Sequence, residues 1–270
     1  MEIIIVDDEP VSLTALKQLL DKLPDCNVQS FTQASAALAW CKSNDPDLVI
    51  VGYVMPELNG IEFTEHFRAL EGKADTPVLM VTATADRQVR NNAFQHGVND
   101  FLNKPYDSVE LQTRVGNLLM LRSGKKTPAD HAPFRAEETS PKYPGRDRIQ
   151  REGADGLLDV NMTLQRLAGD TELLGQVARV FIRTVPQLLT SISAALACND
   201  VERAYAEAHS LKGAVAVFEA PDVLSSVMGV ETHAINYNTA GAAAAFAVAR
   251  TLVERLVTEL SPMVPPDTER

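Results

Sequence analysis

The sequence predicts an α/β domain followed by an all-α one: a five-stranded, doubly wound parallel sheet of (βα)5 type, then an up-down four-helix bundle. Three observations carry this reading. Short runs rich in Val, Ile and Leu alternate with helical stretches through residues 1 to 122. Residues 123 to 154 are rich in Pro, Gly and charge and show no apolar period, as expected of a flexible linker. From 155 to 262 the chain is dense in Ala and Leu and has no strand signal, and 263 to 270 form a tail. At 270 residues and 45% apolar content, the chain can bury the cores of two such domains.

In the first segment EIIIVD, VQSF, DLVIVG, VLMVTA and DFLN are short apolar runs suited to parallel strands buried on both faces. Between them SLTALKQLLDKL, SAALAWCK, GIEFTEHFRAL and DRQVRNNAFQHG read as helices. The last of these starts at a capping Asp86 and stops at Gly97. DSVELQTRVGNLLMLR supplies a fifth helix. A sheet wound this way places its ligand site beyond the carboxyl ends of the strands.

The second segment reads as a short helix near Asn161 to Ala168, then Thr171 to Ala197, Val201 to Phe218, Pro221 to Asn236 and Ala240 to Leu260. Asp170 and Asp200 are good helix starts, and Pro221 sits in a first turn where its missing donor matters little. Pro186, inside the longest helix, is expected to kink it. Four long helices joined by short loops imply an up-down bundle.

Composition excludes several classes of function. The net charge of -11, without a basic stripe, disfavours a nucleic-acid partner. Basic and acidic residues number 10 and 17 before the linker, 7 and 5 within it, and 8 and 14 after it, so two acidic domains flank a basic tether. No window approaches eighteen uninterrupted apolar residues, and MEIIIVDDEP carries acids where a signal peptide would carry Lys or Arg. No membrane insertion is expected. Cys26, Cys41 and Cys198 are scattered, without CxxC spacing, which argues against a disulfide framework or a zinc site and suits a reducing cytoplasm.

Polar residues collect at the strand ends. Asp7 and Asp8 finish the first strand, Gly52 the third and Thr82 the fourth, while Lys104 follows the fifth. Crowded aspartates suit a hard divalent cation, and a Lys with a hydroxyl suits a phosphoryl group. One such residue could simply meet water; convergence from four strands argues for a site.

In order and spacing, IIIVDDEP, PDLVIVGYVMPELNGIEF, VTA and DFLNKP match the motifs of a response-regulator receiver domain, which residues 1 to 122 resemble. The resemblance implies that Asp8 is a direct Mg²⁺ ligand, Asp7 an acid behind it, and the Val54 backbone carbonyl another ligand. Thr82, Lys104 and Phe101 would form the switch, and Lys104-Pro105 is a candidate cis peptide.

The family's phosphoacceptor aspartate falls on Gly52, which has no atom that can attack phosphorus or bind a cation. Asp45 and Asp47 lie at the start of the same strand, roughly 17 Å or more of extended chain from the pocket, and cannot substitute. Either the domain is a natural pseudo-receiver or its aspartate was replaced. An aspartate-nucleophile phosphatase is a poorer match: its DxD pattern would pair Asp7 with an acid at Glu9, giving DDE, and no insertion is long enough for a substrate cap.

In VERAYAEAHSLKGAVAVF, residues Val201, Ala204, Ala208, Leu211, Val215 and Phe218 form a core-facing stripe. His209 stands about 100° from Ala208 at the margin of that stripe, with Lys212 and Gly213 on its own face. An exposed imidazole is then a nucleophile, Lys212 offsets charge on phosphoryl oxygens, and Gly213 leaves room for an incoming loop. HSLKG in a bundle of this length resembles the histidine-containing phosphotransfer (HPt) domain across most of residues 157 to 260. His66, His96, His131 and His233 have no ligand spacing and read as surface residues.

Together these features describe a two-component phosphorelay protein rather than an independent enzyme. His209 would exchange phosphoryl groups with an aspartate of a partner receiver, the partner being a sensor histidine kinase or another response regulator. The chain's own receiver, with a weakened Mg²⁺ site, would serve as a docking or regulatory module. The alternative is an adaptor that sequesters a kinase or response regulator without relaying phosphate.

Overall fold

The computed structural model describes residues 1–83, 87–122 and 156–265. The expected linker, the end of the tail, the capping Asp86 and His131 lie outside the described residues. The first unit runs β1 (Glu2–Val6), α1 (Pro10–Asp21), β2 (Asn27–Phe31), α2 (Ala34–Cys41), β3 (Leu48–Gly52), α3 (Gly60–Arg68), β4 (Val78–Thr82), α4 (Arg87–Gln95), β5 (Asp100–Asn103) and α5 (Ser108–Arg122). All strand pairs are parallel, in the order β2-β1-β3-β4-β5. Successive β1 residues bury to opposite sides: Ile3 and Ile5 join one apolar cluster, Ile4 and Val6 the other. Near-continuous apolar runs follow from a sheet covered on both faces.

Register brings the polar strand ends level. Gly52 lies opposite Val81, and Thr82 opposite Asn103. Glu9 caps α1 by accepting from the Val11 and Ser12 backbone N–H groups. Asn59 and Glu62 form a reciprocal capping box on α3. Gly60 is required there, because a Cβ would stand 2.5 Å from the Gly52 carbonyl oxygen. The chain after β3 can therefore fold back tightly over the strand end.

The second unit is α6 (Val160–Arg166), α7 (Thr171–Ala197), α8 (Val201–Val215), α9 (Pro221–Ile235) and α10 (Thr239–Leu260), followed by a short 3₁₀ turn, Ser261–Met263. Helices α7 to α10 each pack on the next, and α10 closes against α7, giving the expected four-helix bundle. The α7 helix runs unbroken through Pro186. By length and composition alone it is apolar enough to cross a membrane. In this fold its stripe of Leu173, Val177, Phe181, Val185, Leu189 and Ile192 is buried against the other helices.

The α8 helix ends at Val215, earlier than the apolar period predicts. Phe218 belongs to the turn that follows, where its N–H donates to the Val215 carbonyl at 3.0 Å. It still packs edge-on against Phe181, ring centroids 5.0 Å apart. The apolar period outlasts the helix because the turn carries Phe218 back into the core.

One apolar cluster does not stop at the edge of the sheet. It includes Ala15, Leu19 and Leu119 of the first unit with Leu173, Val177, Ala208 and Leu211 of the second. The two units pack through α1, which lies against α7 and α8.

Candidate functional site

A pocket at the carboxyl end of the sheet is lined by Asp7, Asp8, Glu9, Gly52, Tyr53, Val54, Val81, Thr82, Ala83 and Lys104. Its remaining wall comes from the bundle: His209, Ser210 and Gly213 of α8. Most of the sequence-predicted residues of both units therefore meet in one place, Phe101 and Lys212 not being among its lining. The Lys104–Pro105 peptide that brings Lys104 into the pocket is cis.

Both oxygens of Asp7 are engaged. One accepts from the Glu9 backbone N–H at 3.0 Å, and the other from Ser12 Oγ at 3.1 Å and Lys104 Nζ at 2.7 Å. Asp8 is less well served, with a backbone hydrogen bond and a long contact from Ser210 Oγ at 3.5 Å. Burial, with the charge of Asp7 beside it, pushes the Asp8 carboxyl up to about 6. Burial pushes Glu9 up to about 8. Burial alone would pull the Lys104 ammonium down, but Asp7, Glu9 and Asp8 outweigh it and hold it above the ordinary lysine value. A closed pocket with surplus carboxylate charge has a place for a cation.

Whether the residues fit Mg²⁺ follows from the donors. Asp8 and Val54 line the pocket, Asp7 is committed to Lys104, and Gly52 offers no side-chain oxygen. Among the described residues no group of three or more His, Cys, Asp or Glu is arranged to hold a metal ion. One free carboxylate with a backbone carbonyl beside it would suit a hard cation that keeps most of its water.

Phe101 stands apart from this pocket. It is buried on β5, edge-on to Phe94 at 5.0 Å and with the Arg90 guanidinium 5.4 Å from its ring.

On the bundle side, His209 Nδ1 lies 2.6 Å from Glu231 Oε1 of α9. The side chain of His209 is 15% exposed, so the imidazole is sheltered rather than exposed as the helix period implies. Lys212 also departs from expectation. Its ammonium donates to both oxygens of Glu231 at 2.6 Å, so it neutralises that carboxylate and does not stand free beside the imidazole. Burial would raise Glu231, but the hydrogen bonds from His209 and Lys212 hold it below the usual carboxylate range. An ionised Glu231 can only accept, so Nδ1 carries the ring proton and Nε2 presents its lone pair.

Gly213 behaves as its size suggests. A Cβ on it would stand 3.4 Å from Glu9 Cγ and 3.9 Å from Lys104 Nζ, so the loop admitted beside it is the β1–α1 loop of the same chain.

Glu231 is the functional residue that motif reasoning misses. It follows Val230 on α9 and so stands at the margin of the stripe Val223, Val227, Val230 and Ala234, as His209 does on α8. An acid at a stripe margin was the available signal. His66 and His96 turn Nδ1 onto backbone carbonyls of their own helices, and His233 contacts Asn238, all as surface residues do.

Were His209 a phosphoryl carrier, replacing Glu231 with Gln should slow its phosphorylation by roughly one to two orders of magnitude, the loss typical when a carboxylate orienting a metal-bound histidine is removed. Single-turnover transfer to the purified chain reads this. A rate equal to that of the parent chain would show that Glu231 does not orient the ring.

Both halves of the chain match family models. The family model described as "Response regulator receiver domain" matches residues 3–116, and that described as "Hpt domain" matches residues 176–261. Chemotaxis protein CheY-3 of Vibrio cholerae is 35% identical over 118 residues, covering 44% of this chain and 91% of that protein. The cyclic di-GMP phosphodiesterase response regulator RpfG of Xanthomonas campestris is 37% identical over 123 residues, 45% of this chain. The chain spans 32% of RpfG and 8% of a Dictyostelium discoideum hybrid signal transduction histidine kinase, which it matches at 32% identity. Among solved structures, the receiver domain of a Pseudomonas aeruginosa sensor histidine kinase, with magnesium in its active site cleft, is 30% identical, covers 44% of this chain and 96% of its own, and has a TM-score of 0.41.

Proposed function

Since the chain belongs to the response-regulator receiver family and joins to that domain an Hpt domain, a combination that makes it a two-component phosphorelay protein, we propose that His209 is its phosphoryl carrier. In this reading residues 1–122 form the receiver, 123–154 the tether and 155–262 the phosphotransfer bundle, in the cytoplasm. A partner receiver, or a kinase that carries one, supplies or takes the phosphoryl group. The chain's own receiver does neither.

The observation that carries this reading is the pairing of His209 Nδ1 with Glu231, opposite a receiver pocket whose acceptor position is Gly52. In transfer from an aspartyl phosphate, the lone pair on Nε2 forms the N–P bond. The acyl P–O bond breaks and the partner's aspartate leaves as carboxylate. The Nδ1 proton stays against Glu231, whose charge stabilises the ring as it becomes cationic, while Lys212 fixes Glu231 from its other side. Reverse transfer uses the same groups.

Asp8 and the Val54 carbonyl would hold Mg²⁺, which when bound supplies positive charge to phosphoryl oxygens. Gly52 is opposite the imidazole and cannot continue the relay, which supports a docking or regulatory role for this receiver.

Incubation with phosphorylated receivers tests the carrier directly. Label should enter the parent chain and be absent from the His209→Ala form. Equal labelling of both would remove His209 from the mechanism, and no label on either would favour an adaptor that binds without relaying.

A further inference from the structure

The receiver lies on the bundle at the surface that bears His209. Ala15 and Leu19 of α1, which are 2% and 1% exposed, share a small cavity with Leu167, Gly213 and Ala216 of the bundle. Beside this apolar strip, Lys22 Nζ pairs with Asp170 Oδ2 at 2.5 Å, and the Gln18 side chain donates to that of Gln176. At the other end Ser210 reaches Asp8, and Gly213 faces Glu9. The contact therefore runs the length of α1 and ends on His209.

We propose that this receiver is a competitive cap: it occupies the α7–α8 surface that a partner receiver must take, so exchange between His209 and another chain requires α1 to leave the bundle. The inference rests on reading His209 as the carrier. A partner must bring its aspartate within about 3–3.5 Å of Nε2, in line with the bond to be broken. The pocket through which it would approach His209 is walled by Gly52, Thr82 and Lys104 of the same chain. Two receivers cannot stand there together. Because Gly52 accepts nothing, the cap covers the histidine without draining it.

The contact is built to reopen. The ion pair at its rim has side chains 39% and 29% exposed, a setting in which such pairs contribute little. Both units also carry excess acid, 17 against 10 residues before the linker and 14 against 8 after it, so they repel at long range. Affinity for a partner falls in proportion to the open fraction, so a chain about 99% closed binds its partner about a hundredfold more weakly.

Two variants of the full chain test this, each read by the rate of His209 modification with diethyl pyrocarbonate and by transfer from a phosphorylated partner receiver. The Ala15→Arg form forces a charge into the apolar strip and should raise both rates about tenfold or more. In a Cys198→Ser background, a short bis-methanethiosulfonate reagent should oxidise Gln18→Cys and Gln176→Cys, whose parent side-chain ends touch, into a disulfide-linked bridge. Oxidation should then suppress both rates, and reductant should restore them.

Faster modification of Ala15→Arg with unchanged transfer would overturn competition, as would full transfer by the oxidised pair. Unchanged modification in a folded Ala15→Arg form would remove α1 as the cap. Modification that slows as chain concentration rises would assign the cap to a second copy. Failure of the carrier reading is separate: the modification rates would still respond while transfer ignored His209→Ala.

Discussion

Replacing Gly52 with Asp is expected to shorten the life of the phosphohistidine by about three orders of magnitude relative to transfer to a partner at about 1 µM, because the acceptor then sits in the same chain at millimolar or higher effective concentration. The backbone is ready for the change. A Cβ at position 52 meets Met55 at 3.5 Å and Asp7 at 3.6 Å, ordinary van der Waals contact. The new carboxylate would end β3 in the pocket that His209 lines. Phosphate would pass from Nε2 to that carboxylate and, by hydrolysis there, to water. The decay of labelled phosphohistidine in Mg²⁺, followed at several dilutions, reads the effect. Equal lifetimes in both forms would show that the two units do not meet productively in solution.

The same substitution is expected to strengthen Mg²⁺ binding by at least about tenfold. Two unit charges 4 Å apart attract by about 4 kcal/mol at an effective dielectric of 20, and a second coordinating carboxylate needs to retain only part of that to give a tenfold change. Asp8 adds a pH dependence. Its carboxyl, pushed up to about 6, must be ionised to bind, so affinity should fall as pH drops through that value. Isothermal titration of both forms at pH 7.5 and 5.5 checks this. Equal affinity for the parent chain and the Gly52→Asp form at pH 7.5 would mean that the cation is held elsewhere.

Much of this was legible in the sequence. Strands β1, β3 and β4 are covered on both faces, so their apolar runs are unbroken and hard to mistake. The cluster of Asp7, Asp8, Thr82 and Lys104 follows once those strands are parallel, because winding brings their ends together. His209 was found from its place beside the α8 stripe.

What escaped depends on distant partners. Periodicity along α1 does not say that the bundle covers Ala15 and Leu19. The ion pair of Lys212 with Glu231 links residues 19 apart on different helices. Only the packing of α8 on α9 brings that ammonium onto the carboxylate of Glu231. For the same reason the imidazole looked exposed: its hydrogen-bond partner Glu231 is on another helix, and the pocket it lines is completed by Gly52 and Thr82, more than a hundred residues earlier in the chain.

The central claim is that the chain carries phosphate on His209 and nowhere on its receiver. The most direct measurement is the position and chemistry of the phosphoryl group after incubation of the full chain with a phosphorylated receiver and Mg²⁺, mapped by mass spectrometry of peptides prepared at neutral to basic pH. The account predicts an acid-labile, base-stable phosphoramidate on the peptide that contains His209, with residues 1–122 unmodified. An acyl phosphate within residues 1–122, or a phosphoramidate on any other histidine, would contradict it.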